Sequence, residues 1–228
     1  MMHSFAWGRI LLIVINTMTY ETLSLSYCNL KSCPDKSHTM CRYSSDYAPE
    51  CGDKSIIESG MSSNQKKEVI DTHNNLRHFV ACGNEKRGDP GPQPPATNMG
   101  PVTWDDELAT IAQRWANQCV FGHDDCRDTE RFEVGQNVAF ASSSKKYPNN
   151  MTSLIMQWYE EVNDLDKKHV KSMGDNPSLH YTQMIWADSE YVGCGLIKFK
   201  KNNRWYTTQI VCNYGPTGNI EGMPIYET

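Results

Sequence analysis

Nine cysteines constrain the fold of this 228-residue chain more than any other feature. The sequence contains no C-x-x-C pair, so neither a zinc ribbon nor a thioredoxin-like redox motif is indicated. In an exported protein we expect disulfides, and an odd number of cysteines leaves at least one thiol over. Spacing alone does not define the pairing of Cys28, Cys33, Cys41, Cys51, Cys82, Cys119, Cys126, Cys194 and Cys212.

The first 26 residues have the pattern of a secretory signal peptide. Arg9 supplies the positive charge, residues 10–15 form a compact apolar run, and Ser24 and Ser26 lie near an approximate cleavage point. The alternative is an N-terminal core helix. The apolar run is far shorter than the roughly 20 residues that a membrane span needs. We therefore expect a secreted, extracellular protein with no membrane span.

Composition narrows the class of protein further. A hydrophobic fraction of 39%, with 6 Trp and 11 Tyr, is sufficient for a sizeable core. The net charge of −5 argues against nucleic acid as a partner, because phosphates are bound by an excess of Lys and Arg.

The signal pattern and the cluster of cysteines that follows it predict three parts of the chain. The signal peptide occupies residues 1–26. Residues 27–60 form a cysteine-rich N-terminal extension without a helical or strand period, which disulfides must hold against a larger body. The main domain occupies residues 61–228.

Three helices are predicted in the first two thirds of the main domain. The first starts at Ser62, where Ser62 and Gln65 have capping-box spacing, and Gly83 is its C-cap. The second covers 105–120 with Asp105 as N-cap, and the third covers 151–166.

Strand-like segments dominate the rest of the domain. A short strand is predicted within 132–141, and three more in YTQMIW (181–186), GCGLIKF (193–199) and RWYTTQIVCNY (204–214), the last two forming an antiparallel hairpin. Residues 88–101 are a Pro/Gly-rich segment, either a spacer or a ligand for a proline-binding domain, and we favour the spacer. Helices followed by strands indicate an α+β fold.

A few polar residues fall on apolar faces or at element ends. His73 is in phase with the apolar face of the first helix, which is typical of a hydrogen-bonded core histidine. Glu161 lies one helical turn after Trp158 and points to the same interior, where it needs a partner. His123 and His180 are the candidate partners.

The chain resembles one known family through several motifs in a single order. They are GHDDC, GQNVAFA, WYEEV, HYTQMIW, VGCG and VCNYGPTGN. Together they resemble the CAP superfamily of cysteine-rich secretory, antigen-five and pathogenesis-related proteins. The prefix YCNLKSC…HTMC…APECG and the GPQPPA segment are similar to the insect venom-allergen branch, the antigen-five-like proteins of wasps and ants.

The resemblance implies a three-layer α-β-α sandwich with an antiparallel sheet and a disulfide-stapled N-terminal extension. It also implies a central cleft, where two histidines fall on His123 and His180 and one acid on Glu161. The second acid of a G-E-N motif is replaced here by Gln136. In some family members the paired histidines bind zinc, so His123 and His180, with Glu161, are candidate ligands for Zn²⁺.

Two interpretations of this cleft remain open. It is either a weak metal site or a hydrogen-bonded His–Glu–His–Gln cluster that makes the cleft rigid. Catalysis is disfavoured, because Gln136 cannot serve as a general base. The sequence also contains no H-E-x-x-H and no G-x-S-x-G motif. We expect no catalytic residue and no required cofactor.

The resemblance also implies a disulfide pairing. The implied pairs are Cys28–Cys41, Cys33–Cys126, Cys51–Cys119 and Cys194–Cys212. Cys82 is then the odd thiol, which we expect to be buried; intermolecular pairing is the alternative.

Asn150-Met151-Thr152 is the only N-x-S/T sequon. Asn150 is also a candidate N-cap of the third helix, and a glycan there is expected to compete with capping.

The resemblance favours a secreted, non-enzymatic, venom-allergen-like protein. Such a protein binds a small apolar ligand, a sterol or fatty acid, or a host protein, and host immunoglobulin is a further partner by resemblance. The alternative is an extracellular metal-dependent hydrolase that uses the His/Glu cleft.

Overall fold

A computed structural model of the chain describes residues 26–44, 46–51, 55–145, 150–201 and 204–228. All of the predicted signal peptide except Ser26 lies outside these ranges, so that prediction is not tested. No helix within the described ranges has the length and apolar character to cross a membrane.

The centre of the protein is a five-stranded sheet. Four strands lie in the order β1-β4-β5-β3 and pair antiparallel, and the short β2 pairs in parallel with the start of β4. The predicted β4–β5 hairpin is confirmed. The strands are β1 Ser55–Ser59, β2 Thr103–Trp104, β3 Gly135–Ser143, β4 Tyr191–Lys201 and β5 Trp205–Gly215.

Helices cover both faces of the sheet. Within the described ranges the α-helices include α1 Thr39–Arg42, α2 Ser63–Ala81, α3 Asp106–Ala116, α4 Met151–Tyr159 and α5 Leu179–Met184. Short 3₁₀ helices cover Pro34–Lys36, Pro49–Cys51, Glu160–Asp164 and Lys167–Val170.

The layers confirm the predicted α-β-α sandwich. On one face, α3 packs through Ala112 and Trp115 against Val138, Ile197 and Val211 of the sheet. The larger core lies on the opposite face, where α2, α4 and α5 pack. Its largest fully buried side chains include Trp158, Trp186, Tyr159, Tyr181 and Tyr214.

Two glycines of β4 set the close approach of α3 to the sheet. A Cβ at Gly193 would lie 2.4 Å from the carbonyl oxygen of Asp105, and one at Gly195 would lie 2.4 Å from the backbone nitrogen of Gln113. Because these glycines have no side chain, the VGCG motif lets the backbone of α3 contact β4 directly.

The predicted helix starts are confirmed. Ser62 and Gln65 form a reciprocal capping box, and Asp105 accepts the N–H of Leu108. Asn150 caps α4 through Oδ1, which accepts the N–H of Ser153 at 2.8 Å. A glycan would be attached to Nδ2, so the cap and a glycan use different atoms of Asn150.

The first helix ends beside Gly83 as predicted, with Gly83 at a positive φ of 69°, but the ends of the other two differ from the predictions. α3 ends at Ala116 instead of residue 120, because Cys119 adopts a positive φ of 56° and is tied to Cys51 by a disulfide. The third helix is α-helical only as far as Tyr159 and continues as the 3₁₀ helix Glu160–Asp164.

The prediction of a strand at 181–186 is wrong. Residues 181–184 belong to α5, Ile185 is its C-cap, and His180 lies in its first turn. Tyr181, Thr182, Gln183 and Met184 are all buried, so the segment shows no amphipathic period that could separate helix from strand.

Four disulfides join the described residues, and they are the pairs that the resemblance implied. Cys82 is free, but it is exposed, so the expectation of a buried thiol is wrong. Cys82 lies at the C-cap of α2, where the helix surface turns away from the core, with its sulfur 3.6 Å from Nε2 of His78.

The predicted N-terminal extension contributes to the sheet through β1, which pairs with β4. The Pro/Gly-rich segment 88–101 packs on the body of the domain. Gln93 is buried and donates to the carbonyl of Leu165, and the hydroxyl of Tyr226 donates to the carbonyl of Pro94. These contacts agree with a spacer rather than an accessible ligand.

Candidate functional site

His180 and Glu161 form a close pair at the start of α5. Nδ1 of His180 lies 2.6 Å from Oε1 of Glu161. The other carboxylate oxygen accepts the backbone N–H of His180 at 2.9 Å and that of Tyr181 at 3.2 Å. Of the two partners predicted for Glu161, the structure therefore selects His180.

Through these contacts Glu161 caps the N-terminus of α5. Ser178 is the N-cap of α5 but its side chain makes no capping bond; instead its hydroxyl donates to the carbonyl of Glu161. The Glu161 carboxylate takes over the cap, because the first N–H groups of a helix need an acceptor. Both of its oxygens are thus engaged, and Glu161 orients His180 rather than standing free as a base.

His123 and Gln136 form a second pair, 13 residues apart in the sequence. Nδ1 of His123 lies 2.8 Å from Oε1 of Gln136. The amide nitrogen of Gln136 donates to Oδ1 of Asp124 and to Oδ1 of Asn213, each at 3.0 Å. Because those two acceptors fix the amide orientation, Oε1 of Gln136 is the acceptor and His123 donates from Nδ1.

The two histidines therefore share one arrangement. Each donates Nδ1–H to a side-chain oxygen, and in the described part of the chain neither Nε2 has a hydrogen-bond partner. Both rings keep some exposure to solvent. A second partner that fixes the tautomer is typical of histidines that bind metals, so Nε2 of each ring could act as a ligand.

Consecutive residues of β3 connect the two pairs. Side chains alternate between the faces of a strand, so Gln136 points to the α3 side and Asn137 to the opposite side. There Asn137 donates to the carbonyl of His180 at 3.0 Å and to the hydroxyl of Tyr214 at 3.3 Å. The sequence predicted neither contact of Asn137, although Asn137 lies within the GQN motif.

A buried chain of hydrogen bonds continues from Tyr214 to His73. Nδ1 of His73 lies 2.8 Å from the carbonyl of Val69, so this nitrogen donates, and Nε2 accepts from the hydroxyl of Tyr214 at 2.9 Å. Burial lowers the pKa of His73 to about 4, so the ring is neutral at physiological pH. His73 is thus the hydrogen-bonded core residue that the helical period predicted.

The donor set of the cleft fits a zinc ion only in part. Two imidazole nitrogens are available, but Glu161 would have to release its present partners. Within the described residues, only Cys33, Cys126 and Asp128 form a group of three potential ligands within 4.8 Å of one another. Cys33 and Cys126 are joined in a disulfide and offer no thiolate. The predicted Zn²⁺ site at His123 and His180 stays a prediction.

A second candidate site lies on the sheet face that α3 covers only in part. α3 has 11 residues and is about 16 Å long. β4 and β5 have 11 residues each and are about 36 Å long. Beyond the C-terminus of α3 the face is therefore open. A groove of about 300 Å³ forms there, lined by Cys119, Phe121, Phe140, Ser142, Phe199, Lys201, Thr207 and Gln209.

Two exposed phenylalanines form the wall of this groove. The rings of Phe121 and Phe140 meet edge to face with centroids 4.3 Å apart, and the two residues are 62% and 44% exposed. The loop that carries Phe121 is held over the sheet, because Val120 accepts from Gln209 at 2.7 Å and Gly122 from Trp115 at 2.8 Å. Strand alternation from Val138 could have placed Phe140 on this face, but sequence reasoning did not identify either residue.

Comparisons with known proteins agree with this architecture. A family model described as the cysteine-rich secretory protein family, CAP, matches residues 70–214. Venom allergen 5.02 of Dolichovespula maculata is 49% identical over 205 residues, which are 89% of this chain and 94% of that protein. Venom allergen 3 of Solenopsis invicta is 48% identical over 215 residues, 91% of each chain.

Solved structures show the same fold. The structure titled "Crystal structure of NaASP2 with Zn2+" superimposes with a TM-score of 0.60 at 29% identity, covering 74% of this chain and 88% of that one. The structure of BmVAL-1 gives a TM-score of 0.57 at 30% identity, covering 73% of this chain and 84% of that one.

Proposed function

This chain belongs to the cysteine-rich secretory protein (CAP) family and is similar to the venom allergens of wasps and ants. From that membership we propose that it is a secreted, non-enzymatic protein that binds a small apolar ligand, a sterol or a fatty acid. Four disulfides support secretion, because such bonds form and persist in oxidising compartments.

The groove beside Phe121 and Phe140 carries this proposal. Its volume of about 300 Å³ lies at the lower end of the range for small-molecule sites. Exposed phenylalanine rings that line a concavity lose contact with water when an apolar molecule covers them, which makes binding favourable. Ser142 and Thr207, whose hydroxyls lie 2.7 Å apart and hydrogen bond each other, add polar groups to the groove, where a hydroxyl or carboxyl group of the ligand can join that pair.

The chemistry of the cleft supports a non-enzymatic role. Glu161 is engaged by His180 and the end of α5, and Gln136 has no proton to exchange near neutral pH. A hydrolase at this cleft would need a carboxylate free to activate water. We infer that the cleft residues stabilise the junction between the layers of the sandwich.

A ligand-binding experiment tests the groove. An organic extract of the purified protein is analysed by mass spectrometry, and uptake of a sterol and of a long-chain fatty acid is measured by equilibrium binding. The variant Phe121→Ser/Phe140→Ser is expected to weaken uptake at least tenfold. Phe79→Ser is the matched control, because Phe79 is 41% exposed but lies on α2, away from the groove.

Two results would contradict the proposal. One is a protein without extractable lipid that also takes up neither ligand. The other is equal loss of uptake in the groove variant and in Phe79→Ser, which would move the ligand to another surface.

A metal-dependent hydrolase is the alternative function, and one observation favours it. His123 and His180 each donate from Nδ1 and leave Nε2 available as a ligand. Calorimetric titration of zinc at neutral pH into the wild type and into His180→Ala tests this. Binding that disappears in the variant supports a metal site, whereas absent or unchanged binding leaves His180 a structural residue.

A further inference from the structure

The end of the β4–β5 hairpin carries a concentration of positive charge that opposes the charge of the whole chain. Between residues 198 and 206 the sequence is KFKKNNRWY, with Lys198, Lys200, Lys201 and Arg204 and no acid, in a chain of net charge −5. Lys198 pairs with Glu58 at 2.8 Å. Among the residues that the structure describes, no carboxylate forms an ion pair with the other three cations.

Aromatic rings alternate with these cations. Nζ of Lys200 lies 5.3 Å from the ring centre of Tyr206, and the guanidinium of Arg204 lies 5.4 Å from that of Trp205. Lys201 and Trp205 are direct partners in the β4–β5 register, so both side chains project from the same face of the hairpin. Trp205 is 41% exposed. We call Lys200, Lys201, Arg204 and Trp205 the hairpin tip.

The side of the hairpin tip that carries Lys201 and Trp205 is continuous with the apolar groove, whereas Lys200, paired with Tyr206, projects from the opposite face. Lys201 lines the end of the groove, and Phe140 and Phe121 follow along the same face. One end of the molecule therefore presents cations at its rim and exposed aromatic rings directly behind them. When this face lies along a bilayer, the cations meet the anionic headgroups and the exposed aromatic rings reach the boundary of the acyl chains.

We propose that the hairpin tip docks on an anionic phospholipid surface. Lys200, Lys201 and Arg204 attract the anionic headgroups, and each cation near such a surface strengthens binding roughly fivefold. Trp205 is suited to the interface, because an indole ring has an apolar body and a polar N–H. A soluble polyanion such as heparin would use the cations but gain nothing from Trp205. The inference goes beyond ligand binding in the groove and does not depend on it.

Vesicle co-sedimentation of the full secreted chain tests this surface. The vesicles are phosphatidylcholine alone or with 30% phosphatidylserine, at low and at physiological salt. We expect binding only to the anionic vesicles, weakened by salt because charges near a surface are screened. Lys201→Glu/Arg204→Glu is expected to reduce binding at least tenfold, and Trp205→Ser at least threefold.

Lys31→Glu/Lys171→Glu is the matched control, since it changes the net charge by the same amount at two exposed lysines outside the hairpin. This control is expected to bind as the wild type does. Thermal melting of each variant confirms that it is folded, and ligand uptake in the groove is measured in parallel, so that failure of docking is distinguished from failure of ligand binding.

Four outcomes would overturn the proposal. The wild type could bind neutral and anionic vesicles equally, or neither. The control could lose as much binding as Lys201→Glu/Arg204→Glu, which would indicate a general charge effect. Trp205→Ser could leave binding unchanged while heparin releases the protein, which would identify a soluble polyanion as the partner.

Discussion

Glu161 holds His180 through two different groups, accepting from the ring at one carboxylate oxygen and from the backbone N–H at the other. The same carboxylate therefore orients the imidazole and caps the short helix α5. This double use explains how a glutamate is accommodated on a face that is otherwise apolar.

Replacing Glu161 tests this double role. Glu161→Ala removes a helix cap and a charge-assisted hydrogen bond, and we expect a loss of about 2 kcal/mol in the free energy of unfolding. Glu161→Gln should lose less, because an amide oxygen can still accept from the backbone. Urea denaturation measures both, with the exposed Glu130→Ala as control. Equal losses at positions 161 and 130 would contradict the capping role.

Gln136→Glu tests why an amide occupies this position. The amide nitrogen donates to Asp124, so a carboxylate at 136 would lose that bond and place two negative charges side by side. We expect a loss of about 1–3 kcal/mol at neutral pH. In Gln136→Glu/Asp124→Asn the repulsion is absent, so the double variant should lose less than the sum of the single changes. Peptide hydrolysis is assayed on the same samples, and a gain in Gln136→Glu would show that the scaffold can support hydrolysis and that the wild type lacks the base.

The buried His73 should make stability depend on pH. Between its unfolded value near 6.5 and its folded pKa of about 4, only the unfolded chain binds a proton at this ring. Stability is therefore full above pH 6.5 and falls as the pH drops to 4, with a contribution of about 3 kcal/mol from His73. Burial also lowers the pKa of His38, which adds to the loss in the same direction.

To test this prediction, the pH dependence of the free energy of unfolding is compared between the wild type and two variants. In His73→Gln the free energy of unfolding should change less between pH 6.5 and 4.5 than in the wild type, whatever the variant's stability at neutral pH. His78→Gln, on the exposed side of the same helix, should keep the wild-type slope. Parallel curves for the wild type and His73→Gln would show that His73 is not the group that titrates.

The disulfides should differ in how much each contributes to the free energy of unfolding. Cys33–Cys126 spans 93 residues and Cys28–Cys41 spans 13. Because a longer closed loop removes more entropy from the unfolded chain, replacing the first pair by serine should cost about 4–5 kcal/mol and replacing the second about 3 kcal/mol. Guanidinium unfolding of the two double variants measures the difference, and a larger loss in Cys28→Ser/Cys41→Ser would contradict the loop-length argument.

Short sequence patterns were sufficient to predict where the first three helices start, but they did not predict α5. Ser62 and Gln65 lie three residues apart, so their capping box is written in a short stretch of sequence. The acceptor that caps α5 comes from Glu161, 19 residues before His180. No local pattern contains that contact, and the buried, β-branched and aromatic residues of 181–186 favoured a strand.

The candidate sites, too, were predicted from the sequence only in part. The motifs identified His123, Gln136, Glu161 and His180, but which histidine pairs with which partner depends on how β3 and α5 pack. The groove at Phe121 and Phe140 was missed because it is produced by a difference in length between α3 and the strands beneath it. Element ends are the least certain part of any sequence-based assignment.

The point at which α3 ends has a consequence for how the family can diversify. The helix ends before Cys119, whose bond to Cys51 anchors the following loop. One further turn of α3, about 5 Å long, would cover much of the groove, and one turn fewer would enlarge the groove. The size of ligand that fits therefore depends on the position of one covalent anchor, Cys119, as well as on the strand residues beneath it.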